Sequence, residues 1–190
     1  MHPIARPALF ALIGTMALGV AARPGSADDK PAAGVKLVPI KYDELRRRIA
    51  ADKEARLTMV DAWATWCGPC KENFPHVVEM HKKYAGKGLT VISLSLDDAE
   101  KPKKVAEAAA FLDQQKAGFA NYLLDESADD AFEHLKISAI PAVFLFGPGG
   151  EEVKRFTLED VNNLFTYDEV EKAVKDYLDG KPIAEAPKKK

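Results

Sequence analysis

Cys67 and Cys70 are the only cysteines of this chain, and they stand in the pentapeptide WCGPC directly after LTMVDAW, residues 57 to 63. Few features constrain a fold as tightly. The apolar run has the length of a buried strand. A helical periodicity then opens at CGPC, carries Val77, Met80 and Tyr84 on one side, and meets a stop at AGKG. The cysteines therefore lie where a buried strand hands over to a helix N-terminus. Three roles are open to such a pair: structural staple, half of a metal site, or working redox couple.

Each role makes a different demand. A staple gains from closing a long loop, and two cysteines three positions apart close a very short one, so the bridge restrains little of the unfolded chain. A zinc site needs two more ligands, and the nearest candidates are His76 and His81. Five residues apart on one helix, they diverge by about 140° around its axis. Known zinc spacings put the histidine pair much further along. His76 reads as solvent-facing and His81 as half-buried, and no methionine or histidine cluster points to copper. A redox pair suits the position: a helix N-terminus offers free N–H groups and partial positive charge, which favour thiolate over thiol and make a cysteine nucleophilic near neutral pH. In a C-x-x-C turn the first sulfur faces solvent and the second lies a turn further in. Cys67 is thus the expected attacker and Cys70 the resolving thiol.

The rest of the chain alternates between strand and helix patterns. Helices are expected over Tyr42 to about Ala51, Lys103 to Lys116 and Ala128 to Leu135. LTVISLSL (89–96) is a strand buried on both faces, NYLLD (121–125) a shorter one, and AVFLF (142–146), GPGG and EVKRFT (152–157) form a hairpin with glycine in the turn. A last helix starts at Thr166, which has capping-box spacing to Glu169; Val170, Val174 and Leu178 give it an apolar side, and Gly180 ends it. The fold class is α/β, a central mixed sheet covered by helices on both faces. With 190 residues, 47% of them hydrophobic and 29% charged, the chain has material for one globular domain. Its net charge of −2 comes from interspersed lysines and acids, which argues against nucleic acid as a partner.

The N-terminus has its own character. MHPIAR is followed by the apolar or small run ALFALIGTMALGVAA and then by polar RPGSADDK, the layout of a secretory signal. The run of about fifteen residues falls short of the ~20 that a spanning helix needs. Residues 1–27 are therefore expected to be a signal peptide, with cleavage frames after Ala22 or Ala27; the alternative is an uncleaved membrane anchor. Cleavage after Ala27 leaves 25 basic and 29 acidic residues, a charge of −4. Residues 28–35 read as a flexible lead-in, 36–180 as the folded domain, and 181–190 as a flexible charged tail. A periplasmic or otherwise exported location follows.

Beyond these local readings, VDAWATWCGPCK resembles the active-site segment of thioredoxins almost residue for residue, and IPAVFLF resembles their cis-proline segment. The layout over residues 36–180 is closer to the exported TlpA/ResA-like thiol-disulfide oxidoreductases. It shares an export signal, Pro75 five residues after the second cysteine, GLTVISLSLDD, an inserted helix and strand before the proline, and FLFGPGGEEV. The resemblance implies a thioredoxin fold, Cys67 as nucleophile, Cys70 as resolving thiol and Pro141 as a cis-proline. Trp66, Gly68, Pro69 and Ile140 would border, with Pro141, a shallow groove for the partner's chain. Asp61 matches a buried acid that assists proton transfer at the second cysteine. No cofactor or metal is implied. The partners would be protein disulfide substrates and a membrane-bound thiol electron donor, the protein a monomer, and apocytochrome c maturation one task. The Gly-Pro pair between the cysteines is the thioredoxin choice, and thioredoxin lies at the reducing end of the scale, at about −270 mV. A reductase is therefore expected.

Three departures from the pattern matter. The lysine that thioredoxins place near the buried acid is matched by Ser93, so Asp61 is expected to face Ser93 without a cation, with its pKa raised by desolvation. Asn73 stands where the TlpA/ResA-like pattern often has glutamate, with Glu72 before it. The glycine that usually follows the last strand is not apparent in RFTLEDVNNLFTY. Competing readings on the same fold are a peroxidase, whose usual cysteine follows a proline and threonine not found here, a metal- or copper-handling domain, and a protein-binding domain.

Overall fold

The computed structural model describes residues 34–160 and 164–183. The expected signal peptide, most of the lead-in and most of the C-terminal tail lie outside the described residues. The elements run β1 (Leu37–Ile40), α1 (Tyr42–Ala51), β2 (Leu57–Trp63), α2 (Gly68–Tyr84), β3 (Leu89–Ser95), α3 (Pro102–Gln114), β4 (Ala120–Leu124), α4 (Ala128–Leu135), β5 (Ala142–Phe146), β6 (Glu152–Phe156) and α5 (Tyr167–Leu178). The six strands form one mixed sheet in the order β1-β4-β3-β2-β5-β6. β2 pairs in parallel with β3 and antiparallel with β5, so every residue of LTMVDAW is buried and the sequence shows no polar alternation.

Alternate β2 side chains feed two cores on opposite faces of the sheet. Leu57 and Met59 join Val77, Met80 and Tyr84 of α2 and Val170, Val174 and Leu178 of α5. Val60 and Ala62 join Leu45 and Ile49 of α1 and Ala131 and Leu135 of α4. The insertion before Pro141 comprises α3 and β4, with β4 seated between β1 and β3.

β1 is an element that sequence patterning misses. It has four residues, pairs only with β4 at the sheet edge, and contains Pro39. Proline cannot donate to a ladder and is tolerated at an edge, while four residues are too few to display a period. At the other end of the chain the expected capping box is present: Thr166 Oγ1 accepts from the Glu169 N–H and Glu169 Oε2 accepts from the Thr166 N–H at 2.7 Å. This fixes Tyr167 in the first turn of α5. The turn after α2 closes with Gly88 at φ 96°, where a Cβ would sit 2.8 Å from the Arg56 side chain, so glycine is required for both backbone and space. Among the described residues no helix is long and apolar enough to cross a membrane.

Candidate active site

β2 delivers the chain from the sheet centre to a short turn in which the Cys67 N–H bonds the Ala64 carbonyl at 3.1 Å. Cys67 is the N-cap of α2, and its Sγ accepts the Cys70 N–H at 3.2 Å. Pro69 sits in the first turn, where the lost N–H would have had no helical partner. Cys67 and Cys70 form a disulfide with their Cα atoms 5.3 Å apart. Because the Cys70 N–H points at the Cys67 sulfur at the helix N-terminus, the same donor is in place to stabilise a thiolate once the bond is reduced.

Cys70 is fully buried and Cys67 is 5% exposed. The order of accessibility is the expected one, but the expectation that Cys67 faces solvent needs correction. Its sulfur is largely covered, lying 3.7 Å from the Ile140 carbonyl oxygen. The Ile140–Pro141 peptide is cis and both residues are buried. Trp66, by contrast, is 58% exposed, and Gly68 and Pro69 are exposed beside it. The sulfur thus sits between an open rim of Trp66, Gly68 and Pro69 and a buried wall of Ile140 and Pro141. A cleft of about 640 Å³ is lined by Trp66 together with Leu96, Asp97, Lys104 and Phe132, and neither cysteine lines it.

Asp61 is fully buried on β2, opposite Val143 of β5 in the ladder and so two residues from Pro141. Burial pushes its carboxyl up to about 7, against the pull of a hydrogen bond from the Tyr167 hydroxyl. That bond, 2.5 Å to Oδ1, corrects the expectation that Ser93 alone would face the carboxylate. Ser93 is the ladder partner of Asp61, but its Oγ donates to Asn121 Oδ1 at 2.9 Å and accepts from Trp63 Nε1 at 3.3 Å. Asp61 Oδ2 has no partner among the described residues. The sequence signal for Tyr167 was the capping box, which fixes its helical position but not the sheet position it reaches.

Asp97 is a second buried acid that sequence reasoning missed. Its Oδ2 accepts the Thr65 N–H at 2.9 Å and the Ser95 hydroxyl at 2.9 Å, and its Oδ1 accepts the Thr65 hydroxyl at 2.6 Å. A carboxylate just past β3 therefore anchors the turn that carries Trp66 and Cys67. Asn73 points back along its own helix, donating to the Pro69 carbonyl at 2.9 Å, while Glu72 is exposed. His76 is exposed and His81 half-buried, and among the described residues no three His, Cys, Asp or Glu side chains group to hold a metal ion.

A sheet of this order, with a Cys-x-x-Cys disulfide at the N-terminus of α2 and a cis-proline beside it, defines a thioredoxin-fold protein. The chain belongs to the AhpC/TSA family, whose sequence profile matches residues 34–155. It is 28% identical over 101 residues to the thiol-disulfide oxidoreductase ResA of Oceanobacillus iheyensis, covering 53% of this chain and 49% of that one. It is 27% identical over 108 residues to the ResA of Bacillus subtilis, covering 56% of each. The chain thus matches about half the length of these curated relatives. Among solved structures, the thioredoxin domain of a thiol-disulfide oxidoreductase from Bacteroides vulgatus superposes with a TM-score of 0.52 at 22% identity, over 67% of this chain and 82% of that one.

Proposed function

We propose that this chain is an exported thiol-disulfide oxidoreductase that reduces protein disulfides through Cys67 and Cys70. One observation carries the reading: the N-cap sulfur of α2 accepts an amide of its own helix and is disulfide-bonded to a fully buried second cysteine beside a cis-proline. In the reduced protein the Cys67 thiolate attacks one sulfur of a substrate disulfide, forming a mixed disulfide and releasing the first substrate thiolate. Cys70 then loses its proton to Asp61 and attacks Cys67 Sγ. The Cys67–substrate bond breaks, the second substrate thiolate leaves, and the pair ends oxidised with two electrons passed on. Trp66, Gly68, Pro69 and Ile140 bound the groove in which the substrate chain lies, and Pro141 lines it beside the sulfur.

Export is supported by the charged, apolar and small-residue order of residues 1–27. In an oxidising compartment a reductase must be recharged, so a membrane-bound dithiol donor is the second partner, and apocytochrome c is one substrate class consistent with the resemblance. The protein acts as a monomer. The test is trapping: Cys70→Ser should accumulate mixed disulfides with partner proteins, and Cys67→Ser should trap few. A reduction potential near that of thioredoxin fixes the direction, and equal trapping by the two variants would overturn the assignment of roles.

A further inference from the structure

Asp61 differs from a typical buried carboxylate in how it is held. It lies at the centre of the sheet with no solvent exposure, yet among the described residues no cation pairs with it. Its hydrogen bond comes from a neutral hydroxyl on a different element, Tyr167 in the first turn of α5. Tyr167 is itself 5% exposed, and burial, then the charge of Asp61, push its phenol well above the usual tyrosine range, so it stays protonated and donates. The other carboxylate oxygen, Oδ2, is buried and unpartnered. One oxygen is therefore pinned and the other left free.

We propose that Tyr167 is the positioning residue of this carboxylate, holding Asp61 through Oδ1 and keeping Oδ2 as the oxygen that takes the Cys70 proton and later returns it. This rests on the reading of Cys67 and Cys70 as an exchange centre. In the step concerned, the Cys70 S–H bond breaks and its proton passes to Asp61. The resulting thiolate forms the Cys67–Cys70 bond as the Cys67–substrate bond breaks, and the electron pair of that bond leaves on the substrate sulfur. A neutral donor suits this role. A paired cation would hold the carboxylate ionised and make it a weak base, whereas no donor at all would keep it protonated and unable to accept.

The surroundings of Asp61 leave Tyr167 as the group able to tune it. β3 presents Ser93, whose hydroxyl is committed to Asn121, and β5 presents Val143. From α2, the exposed His76 stacks on the Tyr167 ring with centroids 6.1 Å apart. Further along α5, Glu171 is taken up by Lys83 and by the Tyr84 hydroxyl. The backbone of α5 is set independently by the Thr166–Glu169 capping box, so removing the hydroxyl need not disturb the helix start.

The experiment compares wild type with Tyr167→Phe, which keeps the ring and removes only the donor. In oxidised protein carrying carbon-13 in its aspartates, the Asp61 carboxyl should titrate near neutral pH and move upward in the variant. In stopped-flow measurements, release of the mixed disulfide at pH 6.5 should slow about tenfold for each unit of that movement and recover the wild-type rate near pH 9. A purely structural role for Tyr167 would lower the melting temperature without moving either midpoint, and that result overturns the proposal. So does a shifted titration with unchanged release. If wild type forms no mixed disulfide at any pH, the exchange reading fails and takes the destination of the proton with it, while the carboxyl titration still decides whether Tyr167 holds Asp61. Should Tyr167→Phe not fold, the Tyr167 ring-carbon shift in wild type must follow the Asp61 midpoint, and a flat shift overturns the contact.

Discussion

Asp97 takes hold of Thr65 twice, accepting its backbone N–H at 2.9 Å and its hydroxyl at 2.6 Å, and so ties the end of β3 to the turn that carries Cys67 two residues later. The carboxylate is only 2% exposed, and the third hydrogen bond it accepts, from Ser95, closes its coordination. Asp97→Ala would leave donors of Thr65 and Ser95 without a partner in a shielded site. The expected cost is roughly 1–3 kcal/mol, read as a lower urea midpoint at unchanged slope. Thr65→Val removes only the hydroxyl and should cost less. Equal losses for the two variants would mean that the backbone bond contributes nothing.

Asp61 should make the oxidised protein less stable as pH rises. Its folded pKa of about 7 lies above the usual carboxylate value of 3.8, so between these limits the folded state binds more protons than the unfolded state. Stability then falls with pH across that window and levels off above it. The shift corresponds to a penalty on the order of 4 kcal/mol at pH 8 if fully expressed. Asp61→Asn keeps an acceptor for the Tyr167 hydroxyl and removes the charge. Its advantage over wild type should be small near pH 4, grow toward pH 7 and then stay constant, while resolution of the mixed disulfide slows. Urea melts from pH 4 to 9 check this, and parallel curves for the two proteins would sink it.

The signal layout of residues 1–27 predicts a processed N-terminus. Intact-mass measurement of the protein recovered from its native host should find a first residue near Arg23 or Asp28. A chain retaining Met1 and found in the cytoplasm would remove export from the proposed function.

Much of this architecture is legible in the sequence because the relevant signals are local. The buried strand LTMVDAW, the helix opened by CGPC and the capping box at Thr166 each depend on neighbours within a few positions, and all three form as expected. The features that were missed are contacts between distant segments. Tyr167 meets Asp61 across 106 residues, and Asp97 meets Thr65 across 32. Asp61 could be marked as buried from the strand around it, but what satisfies either acid depends on how helices and loops pack over the sheet, which periodicity does not encode. β1 escaped for a different reason: four edge residues containing a proline carry no strand pattern. The cover over Cys67 likewise comes from Ile140, 73 positions away.

Trp66 offers the test that separates recognition from stability. It is 58% exposed and directly precedes Cys67 in the chain, although large aromatic side chains are ordinarily buried where they can be. A tryptophan left in water contributes little to the fold, so Trp66→Ala should change stability by less than about 0.5 kcal/mol. If a substrate chain crosses Cys67, the indole loses water against that chain, and removing it should cost on the order of 1.4 kcal/mol, a tenfold rise in KM. The maximal rate should change little, because the sulfurs and Asp61 are untouched. A small disulfide that reaches Cys67 without covering Trp66 should be reduced by the variant as fast as by wild type. Steady-state kinetics with a folded protein disulfide and with a small aliphatic disulfide, run side by side, measure the two cases. Equal losses for both substrates would mean that Trp66 acts on the disulfide itself, and no loss for either would mean that the partner approaches from another side.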